Sequence, residues 1–219
     1  MKIKSKEDVE KIMEGYQRAK LSKNNIIMPY GSTESKYKAA EKGISYLENK
    51  EKFSFMDFGC CFGAIGLKIK QEFKDSNCNM SGVNKEELEI VKNISSFLNI
   101  DGVNIIKKNV ISIEASYDLT LYFSLVHHVI YRYGFENLAK LISKQTNNVA
   151  VVEFPMHDDV LCQKVLKEKS SLMNDENIVK VFSKFFDILD KIEIFYPHKG
   201  EKNTQLNRIC YIIKKKVTK

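Results

Sequence analysis

The chain has 219 residues, 43% of them hydrophobic and 29% charged, with a formal net charge of +7; this is enough for one domain with a real core and at most a modest extension. No apolar run approaches the roughly 20 residues of a membrane span, and the charged start (Met1-Lys2-Ile3-Lys4-Ser5-Lys6) lacks the apolar centre of a signal peptide, so a cytoplasmic location is expected. Only three of the 35 basic residues are arginine (Arg18, Arg132, Arg208), and lysines interleaved with glutamates describe solvated faces better than a nucleic-acid groove, which favours arginine.

From the N-terminus, Ser5 to Leu21 reads as a helix, with Ser5 and Asp8 as a capping pair. A polar break follows at Ser22 to Asn25, and a second helix starts after Ser32 or Thr33 and runs to about Asn49. Residues 1–50 thus form a helical arm ahead of the first core strand, and 51–219 form the main unit. Phe53 to Phe58 is short, apolar and aromatic, as a buried strand should be. It breaks into glycines at 59, 63 and 66 before a helical pattern over Leu67 to Phe73.

Asn79 to Asn84 is a second strand, Lys85 to Leu98 a helix, Val103 to Val110 a third strand and Tyr117 to Leu125 a fourth. Phe135 to Gln145 is a helix and Val149 to Phe154 a fifth strand. Two helical stretches, His157 to Lys169 and Asp175 to Leu189, precede closing strands at Lys191 to Tyr196 and Arg208 to Lys215. Strands separated by helices pair in parallel, whereas the last two, joined only by the polar loop Pro197 to Asn207, must be antiparallel. The expected fold is α/β: a mostly parallel seven-stranded sheet with an antiparallel last strand. The five cysteines (60, 61, 78, 162, 210) form no C-x-x-C pair and fit a reducing compartment.

The chemistry gathers at the strand ends. Asp57-x-Gly59-x-x-x-Gly63 is neither the dinucleotide fingerprint nor a Walker loop. It resembles the first motif of class I S-adenosylmethionine (SAM)-dependent methyltransferases. A second stretch, Tyr117-Asp118-Leu119-Thr120-Leu121-Tyr122-Phe123-Ser124-Leu125-Val126-His127-His128, resembles the fourth-strand motif of small-molecule members of that class. The resemblance implies a Rossmann-like methyltransferase fold with SAM as cofactor. It implies cofactor contacts from Asp57, Gly59, Cys60 and Gly63, from Asn84 toward the ribose, from Asn109 and Val110 toward the adenine, and from Phe123 and Ser124 at the sulfonium end. Tyr30 and Lys36 of the arm would meet the cofactor's carboxylate or the substrate. Asn84 and Asn109 depart from the pattern, which has acids at both places.

His127 and His128 are the candidate general bases, with Glu153 orienting them. A carboxylate ending a Val-Ala-Val-Val strand needs a partner such as His128 or Arg132. Tyr131, Arg132, His198 and Arg208 are candidate substrate contacts, suited to an anionic acceptor. No metal is expected, because no ligand pair has the i, i+4 spacing of a helix-borne site. Nor is there the Asn/Asp-Pro-Pro-aromatic motif of amino-methylating DNA enzymes, or the Pro-Cys nucleophile of cytosine-C5 enzymes. The acid-ended fifth strand and the Arg before the last strand also resemble the methyltransferase part of surface-polysaccharide enzymes. The expected reaction is methylation of a hydroxyl or phosphate oxygen on a small or glycan-linked molecule. An RNA or tRNA methyltransferase and a non-catalytic domain of the same fold are the alternatives, and the oligomeric state is left open.

Overall fold

The computed structural model describes residues 5–16, 19–22, 25–28, 31–194 and 207–217. Helix α1 (Lys6–Tyr16) opens it, with the expected cap: Ser5 N donates to Asp8 Oδ2 at 3.1 Å and Asp8 N to Ser5 Oγ at 3.2 Å. A hairpin of β1 (Lys20–Ser22) and β2 (Asn25–Ile27) follows, then α2 (Ser32–Ser45). The main unit runs β3 (Ser54–Phe58), α3 (Ala64–Glu72), β4 (Asn77–Gly82), α4 (Lys85–Phe97), β5 (Val103–Lys107), a 3-10 turn (Val110–Ser112) and β6 (Tyr117–Tyr122). It continues through α5 (Val126–Tyr133), α6 (Phe135–Gln145), β7 (Thr146–Pro155), α7 (Val160–Leu166), a 3-10 stretch (Lys167–Leu172), α8 (Asp175–Phe182), β8 (Phe186–Glu193) and β9 (Arg208–Lys215).

The seven-stranded sheet has the order β5-β4-β3-β6-β7-β9-β8. Pairs from β5 to β7 are parallel, and β9 is antiparallel to both β7 and β8, as the closing loop required. Strand order reverses between β3 and β6. Sheets of this kind bind ligands in the crevice at the carboxyl ends of the strands flanking such a reversal. The alternation of the strands divides the core in two. Phe55, Leu119, Leu121, Val149, Val151 and Ile212 pack with residues of α2, α3 and α4, whereas Met56, Phe58, Tyr122, Val152, Phe154 and Tyr211 pack with those of α5 to α8.

Several boundaries differ from the sequence reading. The first helix, read to Leu21, gives way to the β1–β2 hairpin, in which Leu21 pairs with Ile26, so the arm is not wholly helical. The third strand stops at Lys107, and Val110 opens a 3-10 turn instead of ending the strand. The helix read over His157 to Lys169 is confined to Val160–Leu166 and followed by a 3-10 stretch. The second helix ends at Ser45, four residues early, and lies against the sheet with Tyr37, Ala39, Ala40 and Ile44 in the common core. The stretch read as helix to Leu189 stops at Phe182, because Phe186–Glu193 is recruited as an edge strand by β9. The fourth strand ends at Tyr122, and the residues after Leu125 turn into α5.

Gly43 sets how closely α2 approaches the sheet: a Cβ there would lie 2.6 Å from Val151 Cγ2 and 3.4 Å from Leu119 Cδ1. Val151 is β-branched and fully buried on a central strand, so it has nowhere to retreat. Gly43→Ala gains about 1 kcal/mol of helix propensity but overpacks the interface at a cost of about 1–3 kcal/mol. The 2.6 Å approach puts the cost in the upper part of that range, a net loss of about 1–2 kcal/mol, so calorimetry should show a fall in Tm of roughly 2–8 °C; an unchanged or raised Tm would mean that α2 is not held at this distance.

Candidate active site

The glycine turn is built on β3 and pinned to β4. Gly59 N and Cys60 N both donate to Ser81 O, at 2.9 and 3.0 Å, and Gly63 N donates to Cys60 O at 2.8 Å. Gly59 (φ 70°) and Gly63 (φ 77°) are left-handed, a conformation open to glycine at little cost, and Gly63 caps α3. Asp57, 4% exposed, points under the turn rather than into open space and accepts a hydrogen bond from the Gly66 backbone N–H. Burial pushes its carboxyl up to about 7, against the lowering influence of that hydrogen bond and of Lys36. Cys60 is buried, and burial together with Asp57 raises its thiol well above the usual range.

A cleft of about 260 Å³ opens at the carboxyl ends of β3 to β6, lined by residues that include Gly59, Gly82, Val83, Asn109, Val110 and Leu125. His128 and Arg132, one turn apart on α5, close its other wall. Val83 (65% exposed) and Ile111 (39%) present large apolar surface at its rim. The asparagines expected there have local duties. Asn84 Oδ1 caps α4 by accepting from Glu86 N at 2.9 Å, and Asn109 Oδ1 accepts from Ile111 N at 3.2 Å. Sequence reasoning missed Gln145, which shapes this wall from below. Its Nε2 donates to Val110 O and Ile113 O, both at 2.7 Å, and its Oε1 accepts from Tyr122 OH at 2.9 Å. Nothing in its immediate sequence reveals that role.

Beside the cleft lies a buried ionic cluster that draws on five segments. Glu153, at the end of β7 and fully buried, faces Lys36 Nζ of α2 at 3.0 Å and Arg208 of β9 at 3.2 Å. Arg208 Nε also reaches Asp159 Oδ2 at 3.0 Å, while Asp159 Oδ1 caps α7 through Cys162 N. At the centre is Ser124. Its N–H donates to Glu153 Oε2 at 2.6 Å, and its Oγ lies 2.8 Å from Lys36 Nζ and 3.3 Å from Arg208. Ser124 adopts φ 53°, left-handed for a non-glycine residue, at a cost of about 1–3 kcal/mol that the surroundings must offset. The partner of Glu153 is therefore neither His128 nor Arg132, as the sequence suggested; the carboxylate is bound by groups remote in the chain.

The two histidines stand on the first turn of α5, their ring centroids 4.1 Å apart. His128 lines the cleft, and burial and Arg132 lower its pKa. His127 is 7% exposed, and its Nδ1 is buried with no hydrogen-bond partner among the described residues. Burial, His128, Arg208 and Lys36 bring it down to about 4, with Glu153 opposing, so its imidazole is neutral at pH 7. The structure thus brings Lys36, Ser124, His127, Glu153 and Arg208 into one group and Gly59, Asn109, Val110, His128 and Arg132 into the adjoining cleft. Phe123 is buried in the core, Gly63 and Asp57 support the turn, and Tyr131 is half exposed with Lys169 Nζ 6.0 Å from its ring centre. Tyr30 and His198 lie outside the described residues. Among the described residues no cluster of His, Cys, Asp or Glu could hold a metal ion, and no helix is long and apolar enough to cross a membrane.

No family model and no curated protein matches the chain. Solved structures do. Magnesium protoporphyrin IX methyltransferase (ChlM) from Synechocystis PCC 6803, solved with bound SAM, superposes with a TM-score of 0.60 at 10% identity, over 83% of this chain and 80% of that one. The N-methyltransferase NodS from Bradyrhizobium japonicum WM9 gives 0.60 at 7% identity, over 83% and 97%. The bifunctional kinase-methyltransferase WbdD gives 0.56 at 12% identity over 82% of this chain, which spans only 37% of WbdD. The chain has the Rossmann-like fold that these methyltransferases share, with the expected antiparallel strand.

The buried acid beneath the turn makes a prediction with a definite sign. A folded-state pKa near 7 against 3.8 unfolded means that the folded protein holds a proton that the unfolded chain has released, so Asp57 costs stability progressively as pH rises from about 4 to 7. His127 acts oppositely, losing stability as pH falls from about 6.5 toward 4, and does so equally in wild type and variant. Asp57→Asn, whose amide oxygen can still accept from Gly66 N, should therefore gain on wild type as pH is raised from 5 to 8, by on the order of 3 kcal/mol. Denaturant unfolding at the two pH values checks this; a pH-independent difference would contradict it.

Proposed function

We propose that the chain is a SAM-dependent methyltransferase that delivers a methyl group to an oxygen, hydroxyl or phosphate, of a small or glycan-linked acceptor. The observation that carries this reading is one cleft, at the reversal of strand order, lined at once by the glycine turn, the ends of β4 and β5, and the turn into α5. The residues suit the cofactor. The glycine turn leaves backbone exposed at Gly59, while Val83 and Ile111 offer apolar faces for a purine. Asn84 Oδ1 is engaged in its cap, which leaves the amide N–H₂ to donate to a ribose hydroxyl. The sharing of this fold with methyltransferases, one of them solved with SAM, supports the same reading.

Bound there, the cofactor supplies an electrophilic methyl group on a sulfonium. The chain's part is to align an acceptor oxygen with it, an effect that can be worth roughly 7–11 kcal/mol, and to take up the proton of a hydroxyl acceptor. Both histidines have lowered pKa values, so they are largely unprotonated at neutral pH and able to accept it. His127 Nδ1, buried and without a hydrogen-bond partner among the described residues, is the atom that an acceptor hydroxyl would satisfy, while Lys36 and Arg208 bound the acceptor side beside it.

The test is turnover. The purified protein is incubated with SAM and a panel of hydroxyl-bearing and phosphorylated glycosides, and formation of S-adenosylhomocysteine is followed. With a hydroxyl acceptor found, His127→Gln and His128→Gln should each lower kcat by about 100-fold or more while leaving affinity for S-adenosylhomocysteine within about threefold. Turnover at the wild-type rate in both variants would overturn the assignment of the proton acceptor.

A further inference from the structure

Helix α5 carries both histidines, yet it starts without a side-chain cap of its own: Leu125, the capping residue, makes no side-chain hydrogen bond to the helix. The residue before it, Ser124, holds a left-handed conformation that serine does not favour (φ 53°). What meets this turn is a carboxylate from another strand. Glu153 Oε2 accepts from Ser124 N at 2.6 Å and lies 3.2 Å from Ser124 Oγ, although the two residues are 29 positions apart. A negative charge at the start of a helix is also favoured by the helix dipole. Glu153 is itself held from two sides, by Lys36 of α2 and Arg208 of β9, and both cations also reach Ser124 Oγ.

We propose that Glu153 is a positioning residue: its carboxylate holds the Phe123–Ser124–Leu125 turn in its left-handed shape and thereby fixes where His127 and His128 stand. The consequence is visible two and three residues into α5. His128 is directed to the cleft, and His127 lies buried within electrostatic reach of Glu153, Arg208 and Lys36, its Nδ1 without a hydrogen-bond partner among the described residues. A turn in the ordinary right-handed or extended conformation would rotate the start of α5 and move both rings. The inference concerns the turn itself, so it stands or falls independently of the methyl-transfer reading.

The test uses three variants of the full chain: Glu153→Leu, Ser124→Gly and the two combined. The readouts are Tm and the imidazole carbon-bound proton resonances. The chain has only four histidines, so His127 and His128 can be assigned by single substitutions. Glycine adopts the left-handed conformation unaided. Ser124→Gly alone should therefore leave the His127 and His128 resonances near their wild-type positions. Glu153→Leu, which has no acceptor for Ser124 N, should displace them and lower Tm by roughly 6–15 °C, as expected when a buried ion pair loses one partner. In the double variant the glycine should restore the resonances toward wild type and recover part of the Tm loss. If Glu153→Leu does not fold, recovery of folding by the added Ser124→Gly supports the proposal in its place. Resonances unmoved by Glu153→Leu, or a double variant no better than Glu153→Leu alone, would overturn it. Calorimetric titration of the same variants with S-adenosylhomocysteine reports separately on the cofactor reading.

Discussion

The candidate site depends on the burial of one carboxylate. Removing Glu153 from water costs several kcal/mol, and the chain offsets that by bringing Lys36, Arg208 and the Ser124 N–H to it from three other segments. Each of those groups would be costly to bury alone. Together they leave α2, β7, β9 and the β6–α5 turn with essentially one mutual arrangement. Asp159 extends the cluster into α7, so five separate pieces of the chain meet at a centre that none could form locally.

This arrangement complements the sheet. Parallel strands joined by helices place every strand-to-helix turn on one edge, and the reversal of order between β3 and β6 parts two of those turns into a crevice. On one side the glycine turn and the ends of β4 and β5 make an open cleft with an apolar rim; on the other the ionic cluster makes a rigid, buried floor. The histidine pair stands at the boundary between them. A rigid floor beside an open cleft suits chemistry that is mostly alignment, because small displacements of a reacting atom are costly. The buried Asp57 belongs to the same economy: it supports the glycine turn through Gly66 while its own charge is disfavoured by the surroundings.

What the sequence disclosed followed from how local each cause is. The glycines at 59 and 63 announced the turn because left-handed backbone is written in residue type. The order of strands and helices could be read because apolar alternation and connection length are local too. Helix α5 was hidden: the fourth strand was read on to Leu125, past its end at Tyr122, and neither a glycine or proline between them nor a capping side chain at Leu125 marks a helix starting at Val126. The strand ends there only because Ser124 is held left-handed by Glu153, a contact that no local pattern encodes. The same holds for β8, whose helical-looking start is claimed by β9, and for Lys36, whose partner lies more than half the chain away. Residue types in the site were legible; their partners were not.

The methyl transfer proposed for the site requires that the cleft at the strand reversal hold SAM. The most direct measurement is a calorimetric titration of the wild-type protein with SAM and with S-adenosylhomocysteine. Saturable binding of both at a single site with micromolar affinity is the expected result. Absence of binding heat at several temperatures, in protein shown to be folded, would contradict it.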